Sequence, residues 1–174
     1  MRIISGTHKG KIITPDKNFK ARPTTDFAKE NLFNVLNNYI DIEDASVLDL
    51  FAGTGSISYE FASRGAGKIV SIELNYNHYA FIKKTATQLG FKNMTIFKTD
   101  VFIACKKLNG TTFDIIFADP PYNLEKINEI PAAIFNNDLL APDGIAIIEH
   151  PSTVDFSSEP RRYGSVNFSI FKRQ

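Results

Sequence analysis

From residue 46 to residue 149 the chain alternates between two periodicities, and this limits its fold more than any single motif. Apolar runs of strand length occupy residues 46–51, 68–73, 94–98, 113–118 and 145–149. Between them, residues 56–63, 75–89, 101–108 and 124–135 space their apolar side chains as helices do. The second of these stops at Gly90, and the last is expected to bend at Pro131. Strands that are apolar along their whole length need cover on both faces, and the intervening helices supply it. The expectation is an α/β fold with a doubly wound, mostly parallel sheet. Ligands of such sheets sit beyond the carboxyl ends of the strands, near the switch in strand order.

The flanks are different. Arg2–Gly6 and Gly10–Ile13 flank the turn-prone Thr7-His8-Lys9, which reads as a short basic β-hairpin. Residues 14–25, with Pro15 and Pro23, form an irregular basic connection. Thr25 or Asp26 can cap a helix in which Ala28, Leu32, Val35, Leu36 and Tyr39 recur up to about Ile40. At the other end Val166, Phe168 and Ile170 alternate as in a half-exposed strand. The 174 residues are expected to form one domain, with 1–25 a basic extension and 26–174 the catalytic core.

Charge is unevenly placed. Residues 1–30 and 161–174 each carry +4, and the stretch between carries −7. An acidic body with basic ends suits a catalytic core with a phosphate-facing rim, or merely charged, solubilising termini. A single cysteine, Cys105, excludes an internal disulfide and fits a reducing cytoplasm; in a helix it reads as a small buried side chain. No apolar run reaches membrane-span length, and no signal-peptide pattern opens the chain. His8, His78 and His150 are too scattered for metal-ligand spacing. His8 reads as a phosphate contact, His78 as a helix-surface residue, and His150 as a lesser candidate for touching substrate.

Chemistry gathers at the strand ends. The first strand runs into Asp49-Leu50-Phe51-Ala52-Gly53-Thr54-Gly55, where glycines allow a tight turn and close approach of a ligand. Ser58 stands where a dinucleotide fingerprint has its third glycine, which weakens a nicotinamide dehydrogenase reading. Asp49 can orient the loop or meet a cationic ligand. Glu73 ends the second strand, where a carboxylate can accept ribose hydroxyls or simply face solvent. Asp100 follows the third strand and can cap a helix, receive an adenine amino group, or both. The fourth strand ends in Asp119-Pro120-Pro121-Tyr122. Two prolines remove two backbone donors, leaving a carboxylate and carbonyls beside an aromatic ring. Such an acceptor pocket suits an exocyclic amino group on a flat base.

These segments, in this order, resemble class I S-adenosylmethionine-dependent methyltransferases, and the Asp-Pro-Pro-Tyr tetrapeptide resembles the branch that methylates amino groups of bases. The rest of the chain narrows the likeness. Met1-Arg2-Ile3-Ile4-Ser5-Gly6, Lys9-Gly10-Lys11, Arg22-Pro23-Thr24-Thr25-Asp26 and Leu32-Phe33-Asn34-Val35-Leu36 are similar to the bacterial 16S rRNA guanine-N2 methyltransferase family, RsmD-type. So are Leu140-Ala141-Pro142-Asp143-Gly144, Glu149-His150-Pro151 and Arg162-Tyr163-Gly164-Ser165-Val166, whereas residues 152–160 follow no pattern.

The resemblance implies a Rossmann-like sheet with an antiparallel C-terminal strand. It implies that Asp49, Phe51, Ala52, Gly53 and Gly55 hold the methionine part of S-adenosylmethionine. Glu73 would hold the ribose, Asp100 with Val101 the adenine, Leu74 would also line the cofactor site, and Thr24 and Thr25 would lie near the carboxylate. Asp119, Pro120, Pro121 and Tyr122 would bind the target base, with Asp119 also bordering the cofactor. Arg2, His8, Lys9, Lys11 and Arg22 would touch RNA. The implied product is S-adenosylhomocysteine and the implied partner 16S rRNA in an assembled or assembling small subunit; a monomer is the default expectation, and the lone cysteine fits a cytoplasmic protein. An adenine-N6 methyltransferase and a catalytically silent RNA-binding assembly protein are the competing readings.

Overall fold

A computed structural model describes residues 1–15, 19, 25–156, 160–163 and 166–173. In chain order it contains α1 (Asp26–Leu36), β1 (Ser46–Asp49), α2 (Ser56–Ser63), β2 (Lys68–Glu73), α3 (Tyr76–Gln88), β3 (Met94–Lys98) and α4 (Val101–Lys107). Then follow β4 (Phe113–Ala118), a 3-10 turn (Ile127–Glu129), α5 (Ile130–Phe135), β5 (Leu140–His150), β6 (Pro160–Tyr163) and β7 (Val166–Lys172). The strands make one sheet in the order β3-β2-β1-β4-β5-β7-β6. Contacts among β1 to β5 are parallel, and β7 runs antiparallel between β5 and β6.

Alternation along the central strands feeds two cores. Val47, Ile69, Ile115 and Ile145 point to one face, which they share with Leu32, Leu36, Phe61, Ile82 and the hairpin residues Ile3 and Ile13. Leu48, Val70, Ile116 and Ala146 point to the other, against Ala104, Cys105, Ile130 and Ile134. A strand that feeds both faces must be apolar throughout, which is the pattern the sequence shows.

Several boundaries move. Asp49 ends β1, because Leu50 and Phe51 already belong to the turn. α1 stops at Leu36, and its N-cap is Thr25, whose Oγ1 accepts from Ala28 N at 3.2 Å. The helix expected over 124–135 is only the 3-10 turn and α5; Pro131 lies at the start of α5, where its missing N–H is harmless, and does not bend a longer helix. The fifth strand begins at Leu140, with a register shift against β4 between Phe113 and Ile115. β6 was not anticipated. β7 lies inside the sheet, with Phe168 and Ser169 buried. The hairpin is slight: one bridge joins Arg2 to Ile12, and Ile3 N, Gly10 N and Ile13 N donate across it to Lys11, Ile3 and Met1 carbonyls.

A buried ionic knot fixes that hairpin to α1 and α2. Glu60 on α2 is fully buried, and its carboxylate accepts from Ile4 N (2.8 Å), Ser5 N (2.9 Å) and Arg64 Nε (3.0 Å). Lys29 on α1 is equally buried, with Nζ 3.8 Å from Glu60 and donating to the Arg2 carbonyl. The hairpin turn then docks on the end of α2: Thr7 N donates to Ser63 O at 2.7 Å and His8 N to Ser63 Oγ at 2.9 Å.

Candidate active site

The turn after β1 is pinned from both sides. Leu50 N donates to Phe117 O of β4 and Ala52 N to Ile72 O of β2, each at 2.9 Å. Gly53 and Gly55 have φ of +56° and +83°, a region that side chains resist. A Cβ on Gly55 would lie 2.6 Å from the Tyr59 ring, so Gly55 is required by packing as well. A Cβ on Gly53 would meet nothing within 4 Å, so this side of the loop is open to a ligand.

Strand register sets the heights of the acids. Asp49 pairs with Ser71 on one side and Phe117 on the other. Glu73 and Asp119 are therefore each two residues further along, about 7 Å beyond Asp49 on either flank. Asp49 sits recessed beneath the loop, with Glu73 and Asp119 level above it. Asp100 lies two residues past Lys98, the β3 partner of Glu73.

Each acid has distinct partners. Glu73 accepts from Gly53 N at 2.8 Å and Asn75 N at 2.7 Å, with His78 Nδ1 3.8 Å away. Asp100 caps α4 by accepting from Phe102 N and Ile103 N. Asp49 is buried; its Oδ2 accepts from Ser58 Oγ at 2.6 Å, which in turn lies 2.7 Å from Ser71 Oγ. Asp49 Oδ1 is buried without a hydrogen-bond partner among the described residues. Burial raises the Asp49 pKa to about 7, against the Ser58 hydrogen bond and with the Asp119 and Glu73 charges adding to the rise. Burial alone pushes Asp119 up to about 6. A site whose carboxylates resist their own charge is ready for a cation.

Of the expected site residues, those that follow β1, β2, β3 and β4 share this edge of the sheet. Pro120, Val101 and Ala52 are buried, Phe51 is half-buried, and Leu74, Pro121 and Tyr122 are exposed. Thr25 is occupied as the α1 cap. Thr24 and Arg22 lie outside the described residues. On the hairpin, Arg2 pairs with Asp26 at 3.0 Å, Lys9 and Lys11 are exposed, and His8 packs edge-on against Phe91. His150 is buried: Nε2 lies 2.9 Å from Ser169 Oγ and Nδ1 3.0 Å from Pro151 O, so its ring is committed to holding β5 and β7 together. Burial pushes the Cys105 thiol up to about 11, which leaves no thiolate nucleophile at neutral pH.

Sequence reasoning missed the supports. Ser58 counted only as an absent glycine, yet it orients Asp49. Lys29 shares a helix face with Leu32, Phe33 and Leu36, and a lysine on an apolar stripe was the available sign of a buried partner.

Known proteins resemble the chain in sequence and in fold over nearly its whole length. The family described as Conserved hypothetical protein 95 matches residues 1–171. A Bacillus subtilis protein named "Putative rRNA methyltransferase YlbH" is 31% identical over 187 aligned positions, covering all of both chains. "Ribosomal RNA small subunit methyltransferase D" of Buchnera aphidicola is 31% identical over 155 positions, covering 89% of this chain and 78% of that one. The solved structure described as "Putative methyltransferase yhhF from Escherichia coli" superposes with a TM-score of 0.87 at 27% identity, covering 100% and 98% of the two chains. With its sheet order, glycine turn and acid-lined edge, the chain belongs to the Conserved hypothetical protein 95 family, the RsmD type of S-adenosylmethionine-dependent methyltransferase.

Proposed function

We propose that this chain transfers a methyl group from S-adenosylmethionine to the N2 amino group of a guanine in 16S rRNA of the small ribosomal subunit. The observation that carries the reading is the pairing of edges: an acceptor set built on Asp119-Pro120-Pro121-Tyr122 stands level with Glu73 across the open glycine turn. The names of the relatives support an rRNA substrate, and the basic hairpin beside α1 supports contact with a polyanion.

The residues fit the cofactor. Each Glu73 oxygen accepts one backbone N–H and keeps a lone pair for a ribose hydroxyl. Asp49 Oδ1 is an acceptor without a donor, beneath a loop where an ammonium or sulfonium would be welcome. Asp100 and Val101 would border the adenine, with Leu74 beside them. Thr24 and Thr25 are assigned to the neighbourhood of the carboxylate. S-adenosylmethionine, when bound, supplies a methyl group on a sulfonium centre, and S-adenosylhomocysteine is the product.

The chain's own residues act on the base. A purine amino group is a poor nucleophile because its lone pair is delocalised into the ring. Donating its two protons to the Asp119 carboxylate and the Pro120 carbonyl favours a more tetrahedral nitrogen and frees the lone pair. Holding that nitrogen in line is a positioning effect. Acceptors fixed before positive charge develops on it add electrostatic stabilisation. Tyr122 is 62% exposed and is placed to stack on the base, worth about 1–3 kcal/mol for such a pair. A base within a helix must first be extruded to reach this edge. One catalytic body, 26–174, with a basic extension, 1–25, acting as a cytoplasmic monomer on an assembled or assembling subunit, completes the reading.

The test is transfer from labelled S-adenosylmethionine to unmodified small subunits, naked 16S rRNA and duplex DNA, with identification of the methylated nucleoside. N2-methylguanosine is expected. N6-methyladenine would move the target to adenine, and no transfer with the cofactor bound would overturn the reading.

A further inference from the structure

We propose that the outer face of α3 and the adjoining edge of β3 form a second RNA-binding strip. There, unpaired nucleotides stack on Tyr76 and Tyr79 while lysines neutralise their phosphates. The inference rests on the RNA-substrate reading above and extends it to a surface away from the base pocket.

Charge is the first observation. Residues 74–99 hold Lys83, Lys84, Lys92 and Lys98 and no aspartate or glutamate. The remainder of 31–160 holds five Lys/Arg against sixteen Asp/Glu. The −7 of the chain's middle thus conceals a wholly basic segment, and folding gathers that segment on one edge of the sheet.

The helix presents these residues together. Ile82, Thr85 and Ala86 face the sheet. Tyr76, Tyr79, Lys83, Lys84 and Thr87 line a shallow open groove of about 490 Å³ on the other side. Tyr76, Tyr79, Lys83 and Thr87 are spaced by three and four along one helical stripe, and Lys84 flanks it. Tyr76 is 63% exposed. Lys98 Nζ lies 5.4 Å from the Tyr76 ring centroid and Lys83 Nζ 6.0 Å from that of Tyr79. The two rings are 6.4 Å apart and tilted by 39°. Aromatic faces beside ammonium groups are what a single-stranded nucleic acid requires: a stacking platform next to a phosphate counter-charge. A protein partner is the poorer fit, because lysine is depleted from protein interfaces.

The strip is continuous with the basic hairpin. α3 ends at Gln88, and Phe91 just beyond it packs edge-on against His8, with centroids 4.6 Å apart. Phe19, from the N-terminal connection, packs on His78 and Phe81 of the same helix. β3 lies three strands from β4, about 14 Å at ordinary strand spacing. Tyr76 opens α3 three residues after Glu73, so the strip begins at the carboxyl edge of the sheet and runs away from it.

The test compares the full chain with Lys83→Ala/Lys84→Ala, Tyr79→Ala and Tyr79→Phe, using naked 16S rRNA, intact small subunits and an oligouridine 12-mer. S-adenosylhomocysteine affinity serves as the fold control and is expected to stay unchanged. The lysine variant is expected to bind the 12-mer and the rRNA about tenfold more weakly at 0.1 M salt. Its log-affinity against log-salt slope should be shallower by about 1–2, as for two lost phosphate contacts. Tyr79→Ala should weaken binding with the slope intact, and Tyr79→Phe should restore it. Unchanged affinity and slope would overturn the strip. Weaker binding to subunits alone would assign the surface to a ribosomal protein and overturn the RNA partner. If the 12-mer result holds while wild-type chain methylates no rRNA, the strip stands and the rRNA reading falls. A wild-type chain that binds no RNA overturns both.

Discussion

Asp49 and Asp119 are both carboxylates at the ends of adjacent strands, and burial raises both, yet the proposed reaction gives them opposite tasks. In that reaction Asp119 must be ionised to accept an amino group. With its pKa raised to about 6, that form is complete above pH 7 and is lost as pH falls. The expected kcat profile therefore rises through pH 6 and flattens near 7.5; a flat profile down to pH 5 would remove Asp119 from the base pocket. Asp119→Asn is expected to lower kcat at least a hundredfold while S-adenosylhomocysteine affinity stays within about threefold, which calorimetry and single-turnover assays check. Asp49 behaves differently. Unfolded it ionises near 3.8 and folded near 7, so the folded chain holds the extra proton between these values. Its burial therefore opposes folding increasingly as pH rises from about 4 to 7. Asp49→Asn should raise the melting temperature of the ligand-free chain clearly at pH 8, less at pH 5 and not at pH 4. The gain is on the order of 2–4 kcal/mol at pH 8. The same substitution should weaken cofactor binding at least tenfold. Equal gains at pH 8 and pH 5 would mean that Asp49 does not carry this burden.

Among the elements, α2 joins the two ends of the site. Its N-terminus opens at Gly55 and its C-terminus clamps the hairpin turn, and every residue in it is buried. Gly6 makes the clamp possible: φ is +79°, and a Cβ there would fall 1.8 Å from Ser63 O. Gly6→Ala should lift the turn from α2. Hydrogen exchange should then quicken at the Ile3, Gly10 and Ile13 amides and leave β1 and β4 protected. Protection unchanged at the hairpin would show that the turn is held elsewhere. Glu60→Gln should destabilise the chain by about 3–5 kcal/mol, because it strands a buried Lys29. Elements of this kind were only partly legible. β1 to β4, α2 and α3 announced themselves because each satisfies one strong period between clear turns. The 124–135 segment misled because its apolar residues keep helical spacing through a 3-10 turn that local spacing cannot distinguish. β6 was illegible because a four-residue strand depends on β7 beside it and carries no pattern of its own. The acids at the strand ends were legible as a set, since parallel topology brings those ends together. Their relative heights were not, because those come from register. Ser58 and Lys29 were hidden for a related reason: their partners lie on other elements.

For the whole molecule, the distribution of charge matters more than its total of +1. A count along the chain separates basic ends from an acidic middle. The fold instead places the hairpin, the start of the N-terminal connection and α3 next to one another, through the His8–Phe91 and Phe19–Phe81 contacts. The acids meanwhile line the carboxyl edge, where the proposed reaction would receive a cation and an amino group. Two adjacent basic surfaces that would hold one RNA, with no lysine common to both, should contribute independently. Replacing Lys9 and Lys11 with alanine is expected to weaken binding to 16S rRNA and to flatten its salt dependence, since both side chains are exposed and would act on phosphates. Combined with Lys83→Ala/Lys84→Ala, the free-energy losses should add to within about 0.5 kcal/mol. A combined variant no weaker than the poorer parent would mean that hairpin and α3 never hold the same RNA at once. A loss well beyond additivity would mean that the ring contacts joining hairpin to helix transmit disturbance from one surface to the other, so that RNA meets a single coupled unit.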